Sequence, residues 1–414
     1  MPIRNEPDRP EPSRAYVLPP ISLLDAPTDQ HALDTRELDH SARLLEDKFR
    51  EFSVDGEVVQ IHPGPVVSTY EFKPEAGVKP SRIFGLADDL CLALPSESVR
   101  IKRMLGRRTF GVEIPNDDRQ LIFLRELLES GEWRRADSTL TIALGKTATG
   151  ETFLVDLARM PHLLMAGAAS TGKSVAITAM LASVLCRATP EEARFILIDP
   201  KRLELGMFEA IPHLLTPVIT DPARALHALN WAVWTMEERY RRLAAEGLHR
   251  IGEYNRNVLH ALAPTQGGGV HGHLQPLPHI VIVIDDLAAL MMLARREVDA
   301  LMCRLGPISR HVGIHLIVAS SQLAEDVVTD LIKAHVPARI SFRQSSKNDS
   351  RAIIGCTGAE QLLDNGDLIF QPPMSQQRVR LHGPYISEME TARLAAFWRR
   401  QGAPVFDERV AADP

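Results

Sequence analysis

The sequence predicts an α/β chain in which a mainly parallel sheet, covered by helices, follows a smaller α+β domain. Three observations carry this. Five short apolar runs, His162–Ala166, Arg194–Ile198, Ile280–Ile284, Ile314–Ala319 and Ala338–Phe342, alternate with amphipathic helical stretches from about Thr152 onward. Continuous apolar runs of that kind suit parallel strands buried on both faces. Before residue 150 the pattern differs, with short alternating strands set around helices. The third observation is a turn bounded by Gly167 and Gly172, which joins the first apolar run to a helical stretch over Val175–Leu185.

Taken in order, residues 1–35 hold seven of the 29 prolines and little periodicity, and read as a disordered or extended arm. The α+β domain spans residues 36–150. It opens with a helix whose apolar residues, Leu38, Ala42, Leu45, Phe49 and Phe52, recur at four/three spacing, with Asp34 and Glu37 as a capping pair. Strands over Gly56–Ile61, Val66–Phe72 and Arg108–Ile114 follow, with a helix near Ser81–Ala93. The sheet domain spans residues 151–400, interrupted by a glycine- and proline-rich stretch, Ala263 to Pro278, that reads as a mobile loop. Residues 401–414 form a tail.

Composition narrows the class. Of 414 residues 45% are hydrophobic and 24% charged, enough apolar mass for sizeable cores, which excludes a fully disordered, collagenous or coiled-coil chain. The net charge is −6, of which residues 1–52 carry −4. That excludes a histone-like protein and leaves room for a local basic channel. The cysteines, Cys91, Cys186, Cys303 and Cys356, lie far apart without a CxxC pair, which fits a reducing cytosol. No apolar signal region opens the chain and no window approaches 18 apolar residues. The expectation is a cytoplasmic chain with no direct membrane insertion.

The chemistry begins at Gly167-Ala168-Ala169-Ser170-Thr171-Gly172-Lys173-Ser174, which matches GxxxxGK[ST] between a strand and a helix. Glycines let backbone N–H groups wrap phosphates, and the helix N-terminus adds a favourable dipole. Lys173 is expected to reach the β- and γ-phosphates, Ser174 to ligate Mg²⁺, and Val175 to complete the cradle. The apolar strand from His279 ends in Asp285-Asp286. In a phosphate-loop protein the first acid holds the Mg²⁺ water shell and the second orients the attacking water; the bland alternative is a strand end that caps the next helix. Asp199 also ends a strand, with Lys201 beside it, and either lines the same sheet edge or caps a helix.

Two stretches are basic. Arg100 to Arg108 has five bases and no acid, and Lys333 to Arg351 has five bases against Asp349. Both suit phosphate contacts, and both equally suit a solvated face. Arg304 and Arg310 flank a helix end before the Ile314 strand and are candidates to project toward a pore or a neighbouring subunit. His271 and His273 share a glycine-rich loop without a third ligand nearby and read as solvated.

Beyond the phosphate loop, these residues resemble the motor region of the FtsK/SpoIIIE family of bacterial double-stranded DNA translocases. The resemblance runs through Met160-Pro161-His162-Leu163-Leu164, Ile198-Asp199-Pro200-Lys201, Leu203-Glu204-Leu205, Ile211-Pro212-His213-Leu214-Leu215, Gly313-Ile314-His315-Leu316, Leu331-Ile332-Lys333-Ala334 and Ser345-Ser346-Lys347. Pro63-Gly64-Pro65-Val66-Val67 and Gly111-Val112-Glu113-Ile114-Pro115-Asn116 look like the family's smaller α domain. The resemblance implies a RecA-like P-loop ATPase using ATP and Mg²⁺, with six copies in a ring around duplex DNA and ATP bound between subunits. It implies Lys173, Asp285 and Asp286 as catalytic groups, and Arg351 as the arginine supplied in trans, with Arg339 and Arg343 as rivals. Arg304 and Arg310 become the candidate DNA contacts. The family's role in chromosome partition and cell division is implied with it, as is a full-length, membrane-anchored paralogue as a partner. The chain departs from the family's usual Asp-Glu at Asp286, from its Ala-Thr-Gln-Arg-Pro at Ala319-Ser320-Ser321-Gln322-Leu323, from its Gly-Ser at Ser170-Thr171, and from a base at Ile308. Those departures lead to the expectation of reduced turnover, or of a nucleotide- and DNA-binding accessory ring. A secretion or conjugation motor on the same fold is a further alternative. The family's transmembrane helices and winged-helix module have no counterpart in these residues.

Overall fold

The computed structural model of the chain describes residues 16–27, 35–94, 96–104, 106–160, 162–202, 204–262, 275–375 and 377–411. Residues 1–15 and 28–34 of the expected arm lie outside the described residues, as does most of the glycine-rich loop with His271 and His273.

The smaller domain is an antiparallel sheet in the order β1-β2-β4-β3 (β1 Gly56–His62, β2 Val67–Pro74, β3 Arg100–Arg103, β4 Phe110–Pro115). Helix α1, Thr35–Glu51, lies on it because Ala42, Leu45 and Phe49 share one stripe at helical spacing. Phe49 stacks on Phe72 at 4.1 Å between ring centroids. The single helix expected near Ser81–Ala93 is two, α2 (Pro80–Gly85) and α3 (Ala87–Ala93), broken at Leu86. Ile83 of α2 and Leu90 of α3 are both buried in the core of this domain.

The larger sheet has nine strands in the order β6-β5-β13-β12-β11-β7-β10-β9-β8. These are β5 (Thr141–Thr147), β6 (Thr152–Asp156), β7 (His162–Ala166), β8 (Ala193–Ile198), β9 (His279–Ile284), β10 (Ile314–Ser320), β11 (Ala338–Phe342), β12 (Asp367–Gln371) and β13 (Val379–His382). The run β11-β7-β10-β9-β8 is parallel and matches the five apolar runs of the sequence. The other four strands extend it antiparallel. Residues alternate between two cores. Leu163 and Met165 of β7 face one, Leu164 and Ala166 the other. The first core holds helices α4 (Leu124–Leu128), α5 (Gly131–Arg135), α6 (Lys173–Leu185) and α12 (Glu388–Gln401). The second holds α7 (Pro222–Ala245), α8 (Ile251–Leu262), α9 (Leu287–Ile308), α10 (Asp330–His335) and α11 (Lys347–Ile354).

Two expectations about organisation need correction. Strand β5 pairs with β13 and with β6, so Thr141–Thr147, expected within the 36–150 domain, belongs to the large sheet, as β6 does. Sheet membership therefore puts the domain boundary after β4, well before residue 150. The arm is also not bare throughout residues 1–35. Leu24 is buried in the large-domain core, Tyr16 lies against Trp398, and Val17 exchanges hydrogen bonds with Gln401. Asp25 anchors this stretch to Glu390 and Arg393 of α12. Prolines there set an extended path across a packed surface, which composition alone reads as disorder.

Candidate functional site

Strand β7 lies inside the sheet between β11 and β10, and the glycine-bounded turn leaves its carboxyl end, where ligands of such sheets bind. The turn is shaped by close backbone packing. A Cβ on Gly167 would sit 2.7 Å from the Cβ of Phe342. Gly172 has φ +99°, and a Cβ there would meet the Gly366 nitrogen at 2.6 Å. Both positions therefore need glycine. Gly366 N–H donates to the Thr171 carbonyl (3.0 Å), and Ala168 N–H to the Arg343 carbonyl (3.1 Å). Helix α6 begins at Lys173 with no side-chain cap, leaving its first N–H groups for an anion.

The turn opens on a cleft of about 650 Å³. Ala168, Ala169, Ser170, Gly172, Lys173, Ser174 and Val175 line its floor, with Gly167 and the buried Thr171 beneath. One wall carries Lys201, Glu204, Asp285 and Ser321. The opposite wall carries Asn365, Gly366, Gly383, Pro384, Tyr385 and Leu121.

The polar wall is rich in acid. The Lys173 ammonium lies 3.6 Å from Asp285 Oδ1, longer than a hydrogen bond. Asp285 Oδ1 and Asp199 Oδ1 are both buried without a hydrogen-bond partner. Burial pushes the Asp285 carboxyl up; Lys173 opposes that, while Asp199, Glu204 and Asp286 add to it. Four carboxylates thus face two ammonium groups, Lys173 and Lys201. That surplus of negative charge, the unpartnered Asp285 oxygen and the hydroxyl of Ser174 fit a divalent cation arriving with a phosphate chain.

The second acid is held differently from the first. Asp286 caps α9 by accepting from Ala288 N–H (3.2 Å) and pairs with Lys201 (2.8 Å). That hydrogen bond to Asp286 raises the Lys201 pKa. The helix-capping alternative thus holds for its structural role, although Lys201 ties it to the cleft mouth. Asp199 caps no helix. Its Oδ2 accepts from Glu204 and Leu205 N–H (3.0 Å each) and so shapes the loop that presents Lys201 and Glu204.

The remaining candidates scatter. Arg351 is exposed on α11, bonded to Asn348 of the same helix. Arg339 donates to the carbonyls of Ile353 and Lys333, and Arg343 pairs with Asp364. Arg304, a candidate to project toward a pore or a neighbouring subunit, is exposed and pairs with Glu237 of α7 at 2.6 Å. Arg310 lies elsewhere, in a cleft of about 470 Å³ at the amino ends of the parallel strands, with Arg159, Arg250, Arg256 and His311. The basic stretch around residue 100 is mostly consumed inside the chain. Lys102 and Arg100 reach the buried Glu113 (2.7 and 3.5 Å), and Arg107 reaches Glu71 (2.7 Å). Sequence reasoning passed over Leu121, Asn365, Gly383, Pro384 and Tyr385 as site residues, because none stands near the motif in the chain.

Two family models account for most of the sequence. The FtsK/SpoIIIE family model matches residues 123–325, and the FtsK alpha domain model matches residues 18–116. The chain belongs to the FtsK/SpoIIIE family. It is 44% identical over 409 residues to the DNA translocase FtsK of Pseudomonas aeruginosa, covering 96% of this chain and 50% of that protein. It is 42% identical over 422 residues to the DNA translocase FtsK of Rickettsia typhi, covering 97% and 57%. The chain thus spans about half the length of the curated relatives it matches. The boundary between the two models, at residues 116–123, coincides with the end of β4.

Solved structures bear on the fold. The pCW3 conjugation coupling protein TcpA, in its monomer form with ATPgS, aligns at TM-score 0.57 and 20% identity over 84% of this chain and 96% of that one. The cytoplasmic domain of the Thermomonospora curvata type VII secretion ATPase EccC aligns at TM-score 0.57 and 21% identity over 71% and 36%. The fold is that of a P-loop ATPase with a smaller α+β domain ahead of it. No helix among the described residues is long and apolar enough to cross a membrane.

Proposed function

We propose that this FtsK/SpoIIIE-family chain is an ATP-driven translocase on double-stranded DNA, working in the cytoplasm as a homo-hexameric ring. The single observation that carries the reading is the cleft at the carboxyl end of β7. There an uncapped helix N-terminus, Lys173 and Ser174 face Asp285, whose buried Oδ1 accepts no hydrogen bond. Backbone N–H groups of the turn bind the phosphate chain, and Lys173 leaves its loose contact with Asp285 to neutralise the β- and γ-phosphates. Ser174 and Asp285 would hold Mg²⁺, which supplies charge neutralisation on the phosphate oxygens. Asp286 orients the attacking water, and Lys201 fixes its carboxylate. Arg351, exposed and outside its own cleft, serves the cleft of the next subunit. On the opposite edge of the sheet, Arg310 and the arginines beside it contact the phosphate backbone of DNA, which carries no base information. Chromosome partition at division, alongside a membrane-anchored paralogue, is the role this reading assigns.

A second reading has its own support. Asp286 is shared between a helix cap and Lys201, and Ser321 offers only a short hydroxyl on the cleft wall. Both limit how far a water is activated, which favours a slowly hydrolysing accessory ring. Steady-state ATP hydrolysis by the purified chain, with and without long linear duplex at low salt, separates the two. The translocase reading expects strong stimulation by DNA that is lost in Lys173→Ala. Nucleotide binding with negligible hydrolysis in either condition selects the accessory ring.

A further inference from the structure

We propose that Leu121, Pro384 and Tyr385 form the seat for the nucleobase of the bound triphosphate, so that the linker between the two domains touches the nucleotide directly. The inference rests on the nucleotide-binding reading of the cleft and adds a base-recognition wall to it.

A nucleoside triphosphate is polar at one end and a flat, largely apolar plate at the other. The cleft matches that division. Its floor offers backbone N–H groups, Lys173 and Ser174 and one wall is acidic, whereas Leu121, Pro384 and the ring of Tyr385 offer apolar surface. Leu121 is 44% exposed and Tyr385 38%, although both adjoin residues buried in the large core. An exposed leucine and an exposed tyrosine lining one deep cleft are a ready stacking surface for a planar base.

The seat is rigid and held at a fixed distance from the phosphate turn. Tyr385 N–H donates to the Ile122 carbonyl (2.7 Å), and Leu124 N–H donates to the Tyr385 carbonyl (3.0 Å). Phe123 meets the Tyr385 ring edge-on at 6.5 Å and 88°, bracing it. Gly383 N–H donates to the Gly366 carbonyl (2.8 Å), and Gly366 N–H to the Thr171 carbonyl in the turn (3.0 Å). Two backbone bonds therefore connect the base seat to the phosphate cradle. Leu121 lies between β4 of the smaller domain and α4 of the larger one, so a base on this wall contacts the only described segment that joins them at this point in the chain. Bare polyphosphate would fill the cradle without reaching it.

The test is isothermal titration of the full chain with ATP and with inorganic tripolyphosphate, in the wild type and in Tyr385→Ala, Tyr385→Phe, Leu121→Ala and Lys173→Ala. Loss of one aromatic stacking partner weakens base binding by about ten- to a hundredfold. Tyr385→Ala is expected to weaken ATP by that factor and leave tripolyphosphate unchanged. Tyr385→Phe is expected to keep wild-type affinity, because the ring is retained. Lys173→Ala is expected to weaken both ligands. Hydrogen exchange at residues 117–122 is expected to slow with ATP and not with tripolyphosphate. Unchanged ATP affinity in Tyr385→Ala and Leu121→Ala overturns the proposal, the result if a neighbouring copy covers this wall, as does an equal loss for both ligands, the result if the change merely distorts the phosphate cradle. A wild-type chain that binds tripolyphosphate but gains nothing from the base overturns it too. Failure to bind either ligand overturns the nucleotide reading beneath it.

Discussion

Arg380→Met should cost about 3–5 kcal/mol of stability, because Arg380 is the cation on which two buried carboxylates converge. Its guanidinium, 3% exposed, lies 2.6 Å from Asp367 and 2.7 Å from Glu113, which are 1% and 0% exposed. Asp367 belongs to β12 of the large sheet and Glu113 to β4 of the smaller domain, so the triad crosses the domain boundary. Burial opposes charge on Glu113, yet Arg380, then Arg100 and Lys102, hold its carboxyl well below the usual range. Without Arg380, Glu113 keeps Lys102 at 2.7 Å and Arg100 at 3.5 Å. Asp367 keeps only the Leu363 N–H (2.8 Å) and His382, whose pKa burial lowers to about 4, leaving it neutral at pH 7. Most of the cost therefore falls on Asp367. It should be largely recovered in Arg380→Met/Asp367→Asn, where the stranded charge is gone. The assay is urea unfolding at pH 7, followed by tryptophan fluorescence, whose sources Trp133, Trp231, Trp234 and Trp398 all lie in the large domain, and by far-UV circular dichroism. Glu113→Gln should cost less, since Arg380 retains Asp367, but should separate the unfolding of the two domains. A loss below about 1 kcal/mol in Arg380→Met, or no recovery in the double variant, would refute this account of the triad.

Three further outcomes follow from the same geometry. Burial lowers the pKa of His162 and His213 to about 3 and of His279 and His382 to about 4. These groups are neutral when folded and protonate on unfolding below the usual value near ~6.5, so their contribution is complete above that pH and is lost as pH falls toward 3–4. Each should cost about 2 kcal/mol by pH 5, read as a lower urea midpoint at pH 5 than at pH 7.5; equal midpoints would contradict it. Asp286→Asn keeps a good cap for α9 and loses the ion pair to Lys201, so stability should change by under about 1 kcal/mol while turnover falls about a hundredfold at unchanged ATP affinity. Unchanged turnover would transfer the water-orienting role to Glu204 on the same wall. Arg351→Ala should reduce turnover about a thousandfold, and mixing it with Lys173→Ala should restore part of the rate, because each subunit then lends its neighbour an intact group. No recovery on mixing would show that Arg351 does not act in trans.

The parts legible in the sequence were those whose cause is local. The five parallel strands showed as unbroken apolar runs, since burial on both faces leaves no alternation to confuse them. The phosphate turn showed because glycine is required at Gly167 and Gly172 by backbone contacts within a few ångströms. What failed was set by partners distant in the chain. Thr141–Thr147 reads like more of the preceding α+β pattern, and only its pairing with β13 assigns it to the large sheet. Arg100 and Lys102 read as a basic patch because their partner, Glu113, lies across β3 and β4, a pairing that charge counting does not reveal. Tyr385 joins the cleft from beyond a stretch of more than two hundred residues after the turn, through a two-residue backbone bridge to Ile122 and Leu124. Asp286 carries both of the roles weighed for it, a cap and a member of the acidic cluster, so motif reasoning alone had no means of choosing between them.

The central claim is movement along duplex DNA powered by this cleft, and the most direct measurement is the ATP hydrolysis rate per chain as a function of the length of linear duplex at low salt. A chain that tracks along the backbone should hydrolyse faster as the duplex lengthens, approaching a plateau once dissociation from ends no longer limits, and Lys173→Ala should abolish the rate at every length. A rate indifferent to the presence and length of DNA, from a chain that binds ATP normally, would contradict the account.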